Sequence, residues 1–198
     1  KMNDWVYQGF DVTYRKMGIT FEKTYYESQT YLLGKSVVEK ALTAGLLYRQ
    51  QDGSVWVDLS DAGLDQKLLL RGDGTSVYMT QDIGTAILKY NDFHIDRSVY
   101  VIGDEQNYHM QALKIILQKM KEPCAEGIHH LSYGMVELPD GKMKSREGNV
   151  VDADDMISEM VEIARKNTEA LGKVDGFTTE ELQQLYLTLG LGALKFYL

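Results

Sequence analysis

Apolar residues recur along this chain with two different periods, and the alternation between them predicts its elements. Between Asp4 and Met17, Trp5, Val6, Phe10, Tyr14 and Met17 return at near-helical spacing, and Gly18 stands where a helix C-terminal cap belongs. Ile19 to Tyr25 is a short strand candidate. A second helix starts around Tyr26-Glu27-Ser28 and runs to about Ala44, with Gly45 as its stop. From Leu46 to Tyr78 the pattern changes: Leu47, Arg49, Val55, Val57 and Leu59 alternate with polar neighbours, and Asp52-Gly53 marks a hairpin turn. Leu68-Leu69-Leu70 and Ser76-Val77-Tyr78 flank a second such turn at Asp73-Gly74. Residues 46–78 are therefore expected to form an antiparallel insertion on the end of a parallel sheet.

The helical period returns after Tyr78. Thr80 is placed to cap a helix whose Ile83, Ala86, Ile87 and Tyr90 form an inward stripe. Ser98 to Ile102 reads as a buried strand, and Gly103 turns the chain into a helix from about Asn107 to Met120. A strand from Leu131 to Leu138, a loop and a helix from Ala153 to Glu169 capped by Asp152 complete a further step. Helices alternating with single apolar strands indicate an α/β fold with a parallel sheet. Thr178 to Glu181 is a capping box that opens a last, Leu-rich helix.

Composition limits the function more than the fold. With 198 residues and 44% hydrophobic content the chain can bury one real core, with room for a second small lobe. No apolar run approaches the roughly 20 residues needed to span a bilayer, and no basic-then-apolar leader opens the chain. No membrane association is expected. Cys124 is the single cysteine, so neither an internal disulfide nor a cysteine metal cluster is available, which fits a reducing compartment and a cytoplasmic location. The net charge of −8 and pI near 5.0 argue against this chain presenting the main nucleic-acid surface, because neutralising phosphates needs clustered Lys and Arg. An RNA partner is expected to be held mostly elsewhere. Beginning and ending inside amphipathic helical runs, the chain reads as an internal piece of a longer protein.

In open parallel sheets ligands bind beyond the carboxyl ends of the strands. That rule selects Tyr78 to Asp82, Gly103 to His109, and Met135 to Asn149. In the last, Pro139-Asp140-Gly141 and Gly148 are backbone pivots around Lys142, Lys144 and Arg146, with Ser145 among them. Such a loop can close positive charge onto a polyphosphate, although a solvated basic loop has the same composition. In the second segment, a carboxylate after a glycine turn can accept hydrogen bonds from ribose hydroxyls; helix capping by Asp104 and Glu105 is the plainer alternative. In the first, Tyr78 and Asp82 can face one pocket, where a guanidinium would find a carboxylate and a planar neighbour. Otherwise Asp82 favours the helix N-terminus and Tyr78 packs in the core. The adjacent His129 and His130 lie on a strand and are expected to point to opposite faces, which argues against a shared metal site.

The run Gly141 to Val151 resembles the lysine-methionine-serine loop of class I aminoacyl-tRNA synthetases, in the version of the arginyl-tRNA synthetases. The order at Lys144 and Ser145 is inverted from the common pattern. The segment Gly103-Asp104-Glu105-Gln106-Asn107-Tyr108-His109 is similar to that family's Gly-x-Glu/Asp-Gln-x-x-His. Arg71 to Asp82 resembles its Asp-Gly-Thr segment followed by Tyr-x-Thr-Arg/Lys-Asp, with Gln81 where a cation is usual. The resemblance runs from about Trp5 to the Leu189–Phe196 run. It implies the second half of a class I synthetase nucleotide-binding fold, Rossmann-like, over residues 1–177. Residues 178–198 would then begin the helical anticodon-binding region.

The implied chemistry is ATP-dependent activation of arginine to arginyl-adenylate and transfer to tRNA(Arg), with magnesium accompanying ATP. By this resemblance Lys142, Ser145 and Arg146 serve catalysis, and Gly103, Glu105, His109, Met135, Val136, Lys142 and Met143 bind ATP. Tyr78, Asp82 and Gln106 read the amino acid. The family's upstream His-x-Gly-His motif does not occur in these residues, so the isolated chain is expected to be inactive. Another class I synthetase, or a non-catalytic nucleotide-binding module of the same fold, are the alternatives.

Overall fold

In the computed structural model, residues 1–134, 150–172 and 174–197 are described in full, and 137–138 and 141–142 through their backbone. The chain forms two compact units: Lys23–Val136, and Lys1–Glu22 together with Glu137–Leu198.

The first unit is built on a close crossing of two helices, α2 (Glu27–Thr43) and α3 (Tyr78–Phe93). Glycines in both interiors allow it. A Cβ on Gly34 would lie 1.9 Å from the Thr80 carbonyl oxygen, and one on Gly84 would lie 2.3 Å from that of Thr30. Around the crossing, Val38, Leu59, Leu69, Ile83, Leu113, Ile116 and Leu117 are fully buried. Each such side chain contributes about 1.5–3 kcal/mol relative to exposure.

The expected insertion is present as an antiparallel sheet of β1 (Tyr48–Arg49), β2 (Val55–Val57) and β3 (Lys67–Leu70). Its turns follow from local chemistry. Asp52 Oδ1 accepts from the Ser54 N–H at 2.9 Å, and Gly53 takes φ 87°, a left-handed conformation that favours glycine. Asp73 Oδ1 accepts from the Thr75 N–H in the same way, and a bridge pairs Leu70 with Ser76. Tyr78, expected at a strand end, is instead the first residue of α3. Thr80, expected as the N-cap, sits inside the helix while Val77 holds the cap position. The Thr80 hydroxyl reaches back to accept from the Val77 N–H at 3.3 Å and donates to the Leu69 carbonyl, tying the start of α3 to β3.

A βαβ passage completes this unit: β4 (Ser98–Gly103), α4 (Asn107–Lys119) and β5 (Ile128–Tyr133), with the strands parallel and paired from Ser98↔Ile128 to Gly103↔Tyr133. The parallel sheet has two strands among the described residues. Although a buried strand was expected here, only one face of β4 is covered, and Val101 on the other is 63% exposed. Of the strand expected over Leu131–Leu138, Leu131–Tyr133 belong to β5, whose last pair is Gly103↔Tyr133, Glu137–Leu138 form a separate short strand, and residues 135–136 lie outside the described residues. Ile19–Tyr25 forms no strand. Side chains do the tying over its second half: Lys23 Nζ and the Tyr25 hydroxyl both donate to Asp92 Oδ2 at 2.5 Å. The pair holds the Asp92 carboxyl below its ordinary range.

Cys124 is buried, and burial pushes its thiol up to about 11. Since the thiolate is the nucleophile, alkylation at pH 8 is expected to be at least about a hundredfold slower in the native chain than in denaturant. Equal rates by quenched iodoacetamide labelling would contradict this.

The second unit holds α1 (Met2–Met17), a hairpin of β6 (Glu137–Leu138) and β7 (Gly141–Lys142), α5 (Ala153–Ala170) and α6 (Thr179–Tyr197). Gly18 caps α1 at φ 66°, and Asp152 caps α5 by accepting from the Asp154 N–H. Thr178 and Glu181 form the reciprocal capping box expected at the start of α6, with contacts of 2.8 and 3.3 Å. Helices α5 and α6 approach closely at Gly190, where a Cβ would meet the Val161 backbone nitrogen at 2.8 Å. Asp154 joins α5 to α1, accepting from Lys16 Nζ at 2.7 Å and from the Thr13 hydroxyl at 2.8 Å.

Candidate active site

The carboxyl end of β4 and the N-terminus of α3 bring together residues that the sequence leaves far apart. Gly103 ends β4 and is buried; Asp104–Gln106 form a single 3₁₀ turn, and α4 starts at Asn107. Gly103 has φ −59°, so no left-handed strain explains the glycine, and what it offers is a backbone without a side chain. Glu105 is exposed and Gln106 half-buried. Neither side chain makes a hydrogen bond among the described residues, so both remain available to a ligand. Tyr108 anchors this turn to the antiparallel sheet. Its hydroxyl accepts from the Asp65 N–H and donates to Asp65 Oδ2, both at 3.1 Å, and Lys67 Nζ lies 4.1 Å from its ring centroid.

On α3, Tyr78 and Asp82 are one helical turn apart and so share a face, although the junction differs from the expected strand-to-helix one. Tyr78 is 78% exposed. Gln81 Nε2 donates to Glu27 Oε1 at 2.7 Å, which gives a neutral tie to α2 at the position where the family pattern carries a cation.

Asp82 Oδ2 lies 2.6 Å from His109 Nε2 on α4. A carboxylate only accepts, so Nε2 carries the hydrogen and donates. Oδ1 of Asp82 accepts no hydrogen bond from the described residues, and the side chain is 40% exposed. Two turns further along α3, Lys89 Nζ lies 3.8 Å from the ring centroid of Tyr100 on β4. Burial pulls the Lys89 ammonium below its ordinary value, while the Asp82 charge acts in the opposite sense. Burial also pushes the Tyr100 phenol up to about 12, so it stays neutral beneath the cation. The cluster can thus offer one carboxylate oxygen, backed by a histidine and a lysine, to a cationic ligand next to an exposed phenol.

Of the residues predicted from sequence, Tyr78, Asp82, Gly103, Glu105, Gln106 and His109 all lie in this unit. Met135, Val136, Met143, Ser145 and Arg146 fall outside the described residues. Lys142 is described through its backbone, on β7 opposite Glu137 rather than within a free loop. His129 and His130 line separate hollows, as their alternation predicts, and His130 Nε2 donates to the Ile102 carbonyl at 3.0 Å.

The profile of the family described as tRNA synthetases class I (R), catalytic domain, matches residues 1–197. The chain belongs to that family. It is 61% identical over 198 residues to the arginine–tRNA ligase of Amoebophilus asiaticus, and 60% identical over 197 residues to that of Bacteroides thetaiotaomicron. In both comparisons all of this chain is covered and 33% of the relative, so the chain spans about a third of the length of these class I relatives. The fold is similar to the crystal structure of arginyl-tRNA synthetase from Plasmodium falciparum, with TM-score 0.76 and 17% identity, over 96% of this chain and 31% of that one. The Thermus thermophilus arginyl-tRNA synthetase gives 0.73 and 20%, over 93% and 37%.

Sequence reading missed how this cluster is held in place. Thr30, Gly34, Thr80 and Gly84 fix α3 against α2, and the available signal was a glycine inside each of two helical patterns, which usually marks a close approach. Lys89 follows Asp82 by two helical turns and was also legible as a same-face neighbour. The Asp82–His109 contact had no sequence signal, because it joins two helices through tertiary packing.

Proposed function

We propose that the protein containing this chain is an arginine–tRNA ligase of the cytoplasm, and that these residues form the second half of its Rossmann-like nucleotide-binding fold, with α6 leading into the helical anticodon-binding region. The observation that carries the reading is the Asp82 carboxylate, with one oxygen tied to His109 and the other open, on the same helix face as the exposed Tyr78 phenol. A guanidinium is the amino-acid side chain that answers both: it donates in a planar fork to a carboxylate and stacks on an aromatic face. Gln106 adds an uncommitted amide on the same unit.

In the proposed reaction an arginine carboxylate oxygen attacks the α-phosphorus of ATP, the bond to the bridging oxygen of pyrophosphate breaks, and pyrophosphate leaves with the electron pair. A ribose hydroxyl of tRNA(Arg) then attacks the arginyl carbonyl carbon, loses its proton, and AMP departs. No covalent enzyme intermediate is required, so the protein's contribution is positioning and charge stabilisation. The family resemblance supports Gly103 and Glu105 on the adenosine side and Met135 and Val136 at the adenine. It assigns Lys142 to the pyrophosphate, with Met143, Ser145 and Arg146 following it in the sequence. The described residues offer no group of three His, Cys, Asp or Glu side chains that could hold a metal. The resemblance implies a magnesium ion accompanying ATP, and Mg²⁺ keeps several waters and is bound largely through substrate oxygens. The net charge of −8 supports tRNA being held mainly by other parts of the protein.

The test is arginine-dependent ATP–pyrophosphate exchange by the full-length protein carrying Asp82→Asn. The Michaelis constant for arginine is expected to rise at least about tenfold, about 1.4 kcal/mol, with that for ATP nearly unchanged. Tyr78→Phe should act in the same direction and less. An unmoved arginine constant, or an equal loss for ATP, returns Asp82 to the role of a helix-end charge.

A further inference from the structure

We infer that His109 is a positioning residue for arginine selection: it holds the Asp82 carboxylate in the rotation that presents Oδ1 to the guanidinium. This deepens the proposed function and rests on Asp82 reading arginine. Family resemblance groups His109 with the adenosine contacts, but its Nε2 is committed to Asp82 Oδ2 at 2.6 Å. That distance is at the short end for a nitrogen donor on a carboxylate, as for charge-assisted pairs. The imidazole is 28% exposed, more enclosed than the carboxylate it contacts at 40%.

The contact matters because Asp82 has no other fixed partner. An aspartate on a helix surface turns freely about its carboxyl bond, and a guanidinium N–H donating to the open Oδ1 needs that oxygen held in one direction. The described nitrogen donors near it are His109 on α4 and Lys89 on α3; Lys89 is drawn over the Tyr100 ring instead and makes no hydrogen bond to Asp82. His109 is therefore the group that removes the rotation. It stands on the first turn of α4, which Tyr108 anchors to Asp65, so its own place is set by the antiparallel sheet. Preorganisation of this kind lowers the cost of ordering the carboxylate when substrate arrives.

The experiment measures arginine and ATP Michaelis constants and kcat in pyrophosphate exchange for the full-length protein with His109→Ala, His109→Gln, Asp82→Asn and the His109→Ala/Asp82→Asn pair, each checked for native circular dichroism. His109→Ala is expected to raise the arginine constant about tenfold while ATP and kcat move less than about twofold. Glutamine, whose amide can donate from a similar position, should restore it to within about threefold of the native value. In the Asp82→Asn background, His109→Ala should add nothing further, because the group it positions is gone. A rise confined to the ATP constant, additivity with Asp82→Asn, or an unchanged arginine constant overturns the positioning role. If Asp82→Asn itself leaves the arginine constant unmoved, the guanidinium reading fails first and the inference falls with it.

Discussion

Replacing Lys142 with alanine in the full-length protein is expected to slow adenylate formation by on the order of a hundredfold or more, about 3 kcal/mol of transition-state stabilisation, while ATP affinity changes little. Negative charge accumulates on the departing pyrophosphate as the bond to the α-phosphorus breaks. A lysine aimed at it then acts far more strongly in the transition state than in the ground state, and such an interaction appears in the rate rather than in binding. The Lys142 backbone lies in β7, which pairs antiparallel with β6, Lys142 opposite Glu137 and Gly141 opposite Leu138. Single-turnover formation of arginyl-adenylate checks the expectation. Lys142→Arg should retain part of the rate, since charge is kept and geometry is not. An unchanged single-turnover rate in Lys142→Ala would remove the residue from the chemistry.

Gly34→Ala should be comparably costly, but to the fold. The added Cβ would fall 1.9 Å from the Thr80 carbonyl oxygen and 2.8 Å from its carbon, both backbone atoms. No rotamer change relieves such a contact, and α3 is not free to withdraw, because Thr80 is fully buried and its hydroxyl is bound to the Leu69 carbonyl. Overpacking costs typically about 1–3 kcal/mol, and a backbone clash this deep belongs at or beyond the upper end. A loss of about 3 kcal/mol corresponds to a drop of about 10 °C in Tm for a unit of this size. Gly9→Ala supplies the control. Gly9 lies in the interior of α1 with nothing within 4 Å of the Cβ position, so alanine there should stabilise the helix by up to about 1 kcal/mol. Differential scanning calorimetry of the two variants should thus give shifts of opposite sign, and equal shifts would mean that the α2–α3 contact is not tight. Any folded Gly34→Ala protein should also bind arginine more weakly, because the displaced start of α3 carries Tyr78 and Asp82.

The sequence by itself determined what is decided within a few residues. Helix ends at Gly18, Asp152 and Thr178–Glu181, and hairpin turns at Asp52-Gly53 and Asp73-Gly74, follow from side chains that satisfy the neighbouring backbone or from glycine's access to left-handed φ. Neither effect needs a distant partner, so those expectations match the structure. Family membership was equally legible, because it rests on ordered segments and their intervals. Tertiary structure decided what depends on a partner remote in the chain. The last pair of β5 is Gly103↔Tyr133, a register that no local pattern in Leu131–Leu138 records. Ile19–Tyr25 has strand-like composition but pairs with no strand among the described residues, and a strand without a neighbour leaves its backbone groups unpaired. Gly34 and Gly84 are unfavourable helix residues when read locally and become necessary only where two backbones cross. Asp82 and His109 are separated by most of α3, the whole of β4 and the turn that opens α4, and their 2.6 Å contact exists only because packing sets the two helices side by side.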